Sequence, residues 1–262
     1  MLRWFGAFFV FLLAASSVRA ETVRFPSVAV DNSPAADSAI TAWVYRPASG
    51  GPVPAVIYGH TCGGLDSFSE LWAKRLASWG YFVVAPDSYG PRGIQNACSG
   101  GMPANKLVSD VAGALDFLAG RPEVIKGKVA ILGNSAGGKL ALRSVQKRFN
   151  LASRGLLGGV GLYLAPCSAQ QDKFVSLPFL ALLAEKDDWT SMAECHAWAD
   201  GSPKPPLEAV FYPSAQHGFD NSIEINRSPR CGKGTCHIVY DAKISADAEA
   251  RARSFLQSLF AR

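Results

Sequence analysis

Histidine is scarce in this chain, and long hydrophobic runs are scarcer. Only His60, His196, His217 and His237 occur among 262 residues, so chemistry that needs an imidazole has few places to sit. After residue 20 no segment offers the roughly 20 apolar residues that a membrane span takes. Basic runs are missing as well. The 26 Lys and Arg are dispersed against 21 Asp and Glu, which leaves no footprint for nucleic acid. No internal repeat and no low-complexity linker divides the chain. Zinc is disfavoured too, because Cys231, Cys236 and His237 lack a second ligand pair at suitable spacing.

What is present begins with a leader. Arg3 gives a positive start, Trp4 to Ala15 is apolar, and Ser16 to Ala20 is a small-residue exit in which Val18 and Ala20 fit a cleavage pattern. The apolar stretch is short for a span, although an uncleaved anchor is the alternative. A signal peptide over 1–20 followed by one domain over 21–262 is therefore expected, in a secreted or periplasmic protein with no stable membrane insertion after cleavage. Loss of Arg3 and Arg19 takes the net charge from +5 to about +3. All six cysteines lie beyond the leader, and an even count in an exported chain points to disulfides. Cys231 and Cys236 flank a short Gly-containing loop suited to a local bridge. Cys62–Cys98 and Cys167–Cys195 are the expected pairs for the rest.

From residue 53 onward, β-rich runs alternate with helical ones, the signature of an α/β fold with a doubly wound, mostly parallel sheet and helices on both faces. Strands are expected over Val53–Gly59, Tyr81–Ala85, Lys128–Leu132, Gly158–Leu164, Pro178–Ala184 and Leu207–Tyr212. Helices are expected over Ser69–Trp79, Pro103–Leu118, from Ser135 to about Phe149, Met192–Ala199 and Asp241–Phe260. Thr22–Val30 and Ala39–Tyr45 alternate as an antiparallel edge would. Open sheets of this kind bind ligands at the carboxyl ends of their strands.

At one such end stands Gly133-Asn134-Ser135-Ala136-Gly137, the G-x-S-x-G elbow, with a strand before it and a helix after. The turn exposes the Ser135 hydroxyl at a helix N-terminus, where N–H groups favour developing negative charge. A serine alcohol needs a base, and the base needs an orienting acid, in the chain order Ser, Asp or Glu, His. His217 alone follows a late strand in a loop of small residues. His60 precedes the serine and reads as loop support, and His196 and His237 as ordinary polar residues. The acid comes from Glu185-Lys186-Asp187-Asp188, where Asp187 is preferred, then Asp188, then Glu185. Asp188 is also placed to cap the following helix. An oxyanion needs two N–H donors. Ala136 supplies one, and Cys62 is preferred over Thr61 for the other, in the Gly-rich loop after Val53–Gly59. A bridged Cys62 has no thiolate and is no nucleophile.

These stretches, together with Gly59-His60-Thr61-Cys62-Gly63-Gly64-Leu65, Pro86-Asp87-Ser88-Tyr89-Gly90-Pro91-Arg92-Gly93 and Tyr212 to Phe219, resemble the dienelactone hydrolase family of α/β-hydrolases. The resemblance runs from about Val53 to the final helix. It implies Asp187 as the acid and Cys62 as the second oxyanion donor. It also suggests that Arg92 binds an acidic substrate group, a solvated loop arginine being the plain alternative. Arg227, Arg230 and Lys233 could add to such a field but read better as solvated surface. The best-known members of the family use a cysteine nucleophile, and Ser135 stands at the matching position here. That departure favours a general ester hydrolase over a dienelactone-cleaving enzyme. The expected reaction needs no metal or organic cofactor, and the expected partner is a small-molecule ester. Amide, peptide or thioester cleavage by the same three residues is the alternative, followed by a silent binding protein on the same scaffold.

Overall fold

The computed structural model describes residues 20–37, 39–100, 102–170, 174–203, 206–232 and 234–262. The expected leader, apart from Ala20, lies outside the described residues. Eight strands form one sheet: β1 (Ala20–Phe25), β2 (Ile40–Tyr45), β3 (Val53–Gly59), β4 (Phe82–Pro86), β5 (Val124–Asn134), β6 (Leu156–Leu162), β7 (Phe179–Ala184) and β8 (Leu207–Tyr212). Their spatial order is β1-β2-β4-β3-β5-β6-β7-β8. β2 runs antiparallel to both β1 and β4, while β4, β3 and β5 to β8 are mutually parallel.

A strand buried on both faces has no polar side to alternate with, and so reads as a continuous apolar run. β4 and β7 do so, with every residue buried. Successive side chains of such strands point to opposite faces, which divides the core into two layers. On one face Ile57, Val84 and Ile131 meet α2 (Val108–Ala119) through Val111 and Leu115. On the other, Val56, Val83 and Leu132 share a layer with Trp72 and Leu76 of α1 (Ser67–Ser78) and Ala252 and Leu256 of α5 (Ala242–Phe260). Each large aliphatic side chain buried this way contributes about 1.5–3 kcal/mol. α1 and α5 begin at aspartate caps: Asp66 accepts from Ser69 N–H at 2.8 Å, and Asp241 from Lys243 and Ile244 N–H at 3.0 Å each.

Several boundaries differ from the sequence pattern. The helix expected from Pro103 starts at Val108, after a 3-10 turn over Ala104–Lys106. α3 (Ala136–Ser144) stops short of Phe149, and the chain passes into a 3-10 turn over Lys147–Phe149 that ends in left-handed Asn150. β1 ends at Phe25 because Pro26 has no N–H to continue the ladder. α4 (Met192–Gly201) lies between β7 and β8, and a small hairpin pairs β9 (Arg230–Cys231) with β10 (Gly234–Thr235).

The chain leaves β3 toward β4 on one side and later places β5 on the other. The crevice at the carboxyl ends of β3 and β5 is thus the switch point where such sheets bind ligands.

Candidate active site

Ser135 follows β5 directly and opens α3. Its φ of 54° and ψ of −116° are strained for a residue with a Cβ. The packing around it explains how the strain is held. A Cβ on Gly133 would run into the Gly137 carbonyl, and one on Gly137 into the Gly59 carbonyl, so bare glycines let α3 sit hard against β5 and β3. Ser135 N–H donates to Leu162 O at 3.0 Å, fixing the elbow to β6.

A chain of hydrogen bonds leads away from this serine. His217 Nε2 lies 2.9 Å from Ser135 Oγ, and His217 Nδ1 lies 2.8 Å from Asp187 Oδ2. The other Asp187 oxygen accepts from Trp189 N–H at 2.8 Å. The side chains of His217 and Asp187 are only 4% and 1% exposed, so water does not compete for this pair. The imidazole is held on its faces as well. The Trp189 ring stacks on it at 4.9 Å between centroids, and Tyr163 meets it edge-on at 4.7 Å.

The other acidic candidates lie elsewhere. Asp188 pairs with His237 Nδ1 at 2.6 Å, and Glu185 with His196 Nε2 at 2.9 Å, all partly solvated. Among the three carboxylates, Asp187 alone is brought to His217.

His60 is buried and uses both ring nitrogens: Nδ1–H donates to Thr61 O at 2.7 Å, and Nε2 accepts from Ser88 N–H at 3.2 Å. An acceptor nitrogen requires the neutral ring, in keeping with burial, which lowers the pKa of this imidazole. His60 therefore ties the loop after β3 to the loop after β4. In that first loop Cys62 is bridged to Cys98, and Cys62 O accepts from Ala97 N–H at 2.9 Å. Cys62 and Ala136 line the same hollow beside Ser135. Cys167 is bridged to Cys195, and Cys231 to Cys236.

Arg92 requires a correction. It does not line the cleft; its guanidinium forks onto Asp110 at 2.8 and 2.9 Å and reaches Ser88 O at 2.7 Å. Asp110 is fully buried, so its charge needs this partner inside the protein.

Sequence reasoning missed a polar cluster behind the serine. Asn134 Nδ2 donates to Tyr163 Oη and to Asp220 Oδ2, both at 3.0 Å, and its carbonyl accepts from Tyr58 Oη at 3.2 Å. Trp72 Nε1–H donates to the same Asp220 oxygen at 2.8 Å. Burial pushes the Asp220 carboxyl up to about 6, against the lowering effect of hydrogen bonds from Tyr163 and Trp72. No spacing rule points to these residues, since Trp72 lies 148 positions from Asp220 and Asn134 lies 86.

The arrangement joins a hydroxyl, an imidazole and a carboxylate in one hydrogen-bonded chain, with room beside them for a small molecule. Among the described residues no group of three or more His, Cys, Asp or Glu is placed to hold a metal ion, and no helix is long and apolar enough to cross a membrane.

Comparison with known proteins agrees with this architecture. The sequence profile of the dienelactone hydrolase family matches residues 40–260. A protein of Methylorubrum extorquens with the provisional name carboxymethylenebutenolidase is 26% identical over 235 residues, covering 80% of this chain and 79% of its own length. Among solved structures, a provisionally named dienelactone hydrolase of Klebsiella pneumoniae superposes with a TM-score of 0.70 at 17% identity, over 91% of this chain and 99% of that one. A butyrate-bound esterase of Thermogutta terrifontis gives 0.63 at 16% identity, over 90% and 95%. At these identities the structural likeness speaks for the fold, and the match over residues 40–260 establishes that the chain belongs to the dienelactone hydrolase family of α/β-hydrolases.

Proposed function

We propose that the protein is a carboxylic ester hydrolase in which Ser135, His217 and Asp187 act as a triad through an acyl-enzyme. The observation that carries this reading is the unbroken hydrogen-bond chain from Ser135 Oγ through His217 to Asp187, set on a strained elbow. Ser135 Oγ attacks the ester carbonyl carbon and its proton passes to His217 Nε2. The new C–O bond leaves a tetrahedral oxyanion between the N–H groups of Ala136 and Cys62. When that intermediate collapses, the bond to the alcohol oxygen breaks and His217 returns its proton to the leaving alcohol. Water then attacks the acyl-enzyme with His217 again as base, the Ser135 ester bond breaks, and the acid departs. Asp187 holds the tautomer that leaves Nε2 free to accept and stabilises the imidazolium. No step calls for a metal or an organic cofactor, and the substrate is a small molecule.

Three disulfides suit an oxidising compartment. With the leader over 1–20, they support a secreted or periplasmic enzyme whose single domain spans 21–262. The test is hydrolysis of p-nitrophenyl esters from acetate to decanoate by wild type and Ser135→Ala. Turnover by wild type alone supports the reading. Comparable turnover by a folded Ser135→Ala sinks it.

A further inference from the structure

Ser135 stands between two hollows that differ in chemistry. The first, about 640 Å³, is walled mostly by apolar groups, Tyr89, Ala97, Met102, Leu107 and Pro166 among them, with Lys139 and Arg143, each already engaged by a partner, also on its lining. The second, about 500 Å³, presents Asp66, Asn96, Asn221, Glu224 and Arg227, together with His217. Cys62, Cys98, Ser135 and Trp189 border both, so the disulfide and the indole form the ridge between them.

The position of His217 gives these hollows a direction. An ester has two arms, and only one carries the oxygen that must be protonated as it leaves. The general acid has to reach that oxygen at hydrogen-bond distance. His217 borders the second hollow and not the first, whereas Ala136, the oxyanion donor next to the nucleophile, borders the first. The alcohol arm is therefore drawn toward the second hollow, which leaves the first for the acyl arm.

The linings then set the class of each arm. An acyl chain in the first hollow would bury methylenes against Tyr89, Met102, Leu107 and Pro166, clear of the already partnered Lys139 and Arg143. An acetyl group would leave most of that space unfilled, because volumes of roughly 300–1,000 Å³ hold ligands of drug size. In the second hollow, Asp66 caps α1 and Glu224 pairs with Arg227, so charged and polar groups face the incoming alcohol. An alkyl alcohol would strip water from them and return no hydrogen bonds, a cost that hydroxyl groups avoid.

We propose that this enzyme prefers esters joining an apolar acid longer than acetate to a hydroxyl-bearing alcohol, with the acid beside Met102 and the alcohol beside Glu224 and Arg227. The proposal rests on the ester-hydrolase reading above and adds to it the orientation and class of substrate.

The experiment measures kcat/KM by pH-stat for acetate and hexanoate esters of n-propanol and of glycerol. Wild type is expected to favour hexanoate over acetate and glyceryl over propyl esters. Met102→Trp, at a partly exposed loop position, should lower kcat/KM for both hexanoates by about 10-fold and leave the acetates within about two-fold. If that variant does not fold, Ala104→Phe reads the same hollow. The double variant Glu224→Leu/Arg227→Leu removes the ion pair whole and should abolish the glyceryl preference while keeping the hexanoate-to-acetate ratio. Loss of alcohol discrimination in Met102→Trp with its acyl preference intact overturns the assignment but leaves the hydrolase standing. So does a wild-type preference for acetyl or propyl esters. Failure to hydrolyse any of the four, with no phosphonate adduct on Ser135, overturns the ester-hydrolase reading and this assignment with it.

Discussion

Two aspartates adjacent in the chain have different surroundings, and that difference makes the account testable one side chain at a time. Asp187 faces a buried imidazole, while Asp188 faces His237 in partial solvent. Asp187→Asn keeps the shape but would favour the wrong His217 tautomer, so kcat should fall by about 10⁴-fold. Asp188→Asn should stay within about three-fold of wild type, since a solvated pair contributes little. Steady-state kinetics on one chromogenic ester checks both variants. A large loss in Asp188→Asn with a small one in Asp187→Asn would reverse the assignment. At this scale the sequence was partly legible. Ser135 and His217 were readable from a spelled motif and from chain order, because each sits in a short segment whose geometry is locally determined. Chain order narrows the acid to Asp187, Asp188 and Glu185 and prefers Asp187, a preference the family likeness shares, but three carboxylates within four residues differ mainly in which way each points. Arg92 was misplaced for a similar reason: its partner Asp110 lies on α2, and nothing near Arg92 in the chain announces a buried carboxylate.

Elements hold the reacting groups in place, and the loop after β3 is the one most dependent on a covalent tie. The Cys62–Cys98 bridge spans 36 residues, and His60 fastens the same loop to Ser88. Replacing both cysteines by serine should lower stability by about 3–4 kcal/mol on the chain-entropy account. It should also reduce kcat more than it raises KM, because a looser Cys62 N–H is worth most when the oxyanion has formed. Denaturant melts and kinetics on the double variant test this together. Unchanged kcat in a destabilised protein would mean that the bridge acts on the fold alone. The elements themselves were largely readable: parallel strands buried on both faces give unbroken apolar runs, and α1 and α5 carry aspartate caps. The ends of α2 and α3 were not readable, because 3-10 turns there keep nearly helical spacing while changing the hydrogen bonding.

Across the whole molecule, one buried carboxyl links stability to pH. Asp220 is pushed up to about 6 from an ordinary 3.8, mainly by burial. The folded protein therefore holds this proton more tightly than the unfolded chain does. Stability from the group is complete below pH 3.8 and is lost as pH rises through about 6. The loss is worth about 3 kcal/mol at neutral pH. Asp220→Asn cannot ionise, so its melting temperature should exceed that of wild type at pH 8, with the gap closing toward pH 4. A gap that widens on acidification would show that the carboxylate is favoured where it sits. Asn134 on β5, Trp72 on α1 and the loop residues Tyr163 and Asp220 come from four separate segments, and only the folded sheet brings them together. No local pattern in the chain marks them for that reason.

In the proposed function, one serine carries the chemistry. Reacting the full-length protein with a fluorophosphonate and following intact mass, the labelled peptide and esterase activity in parallel tests it most directly. A single adduct on Ser135, with activity lost in proportion to labelling, is the expected result. An adduct on another residue, or activity that survives complete labelling of Ser135, would contradict it.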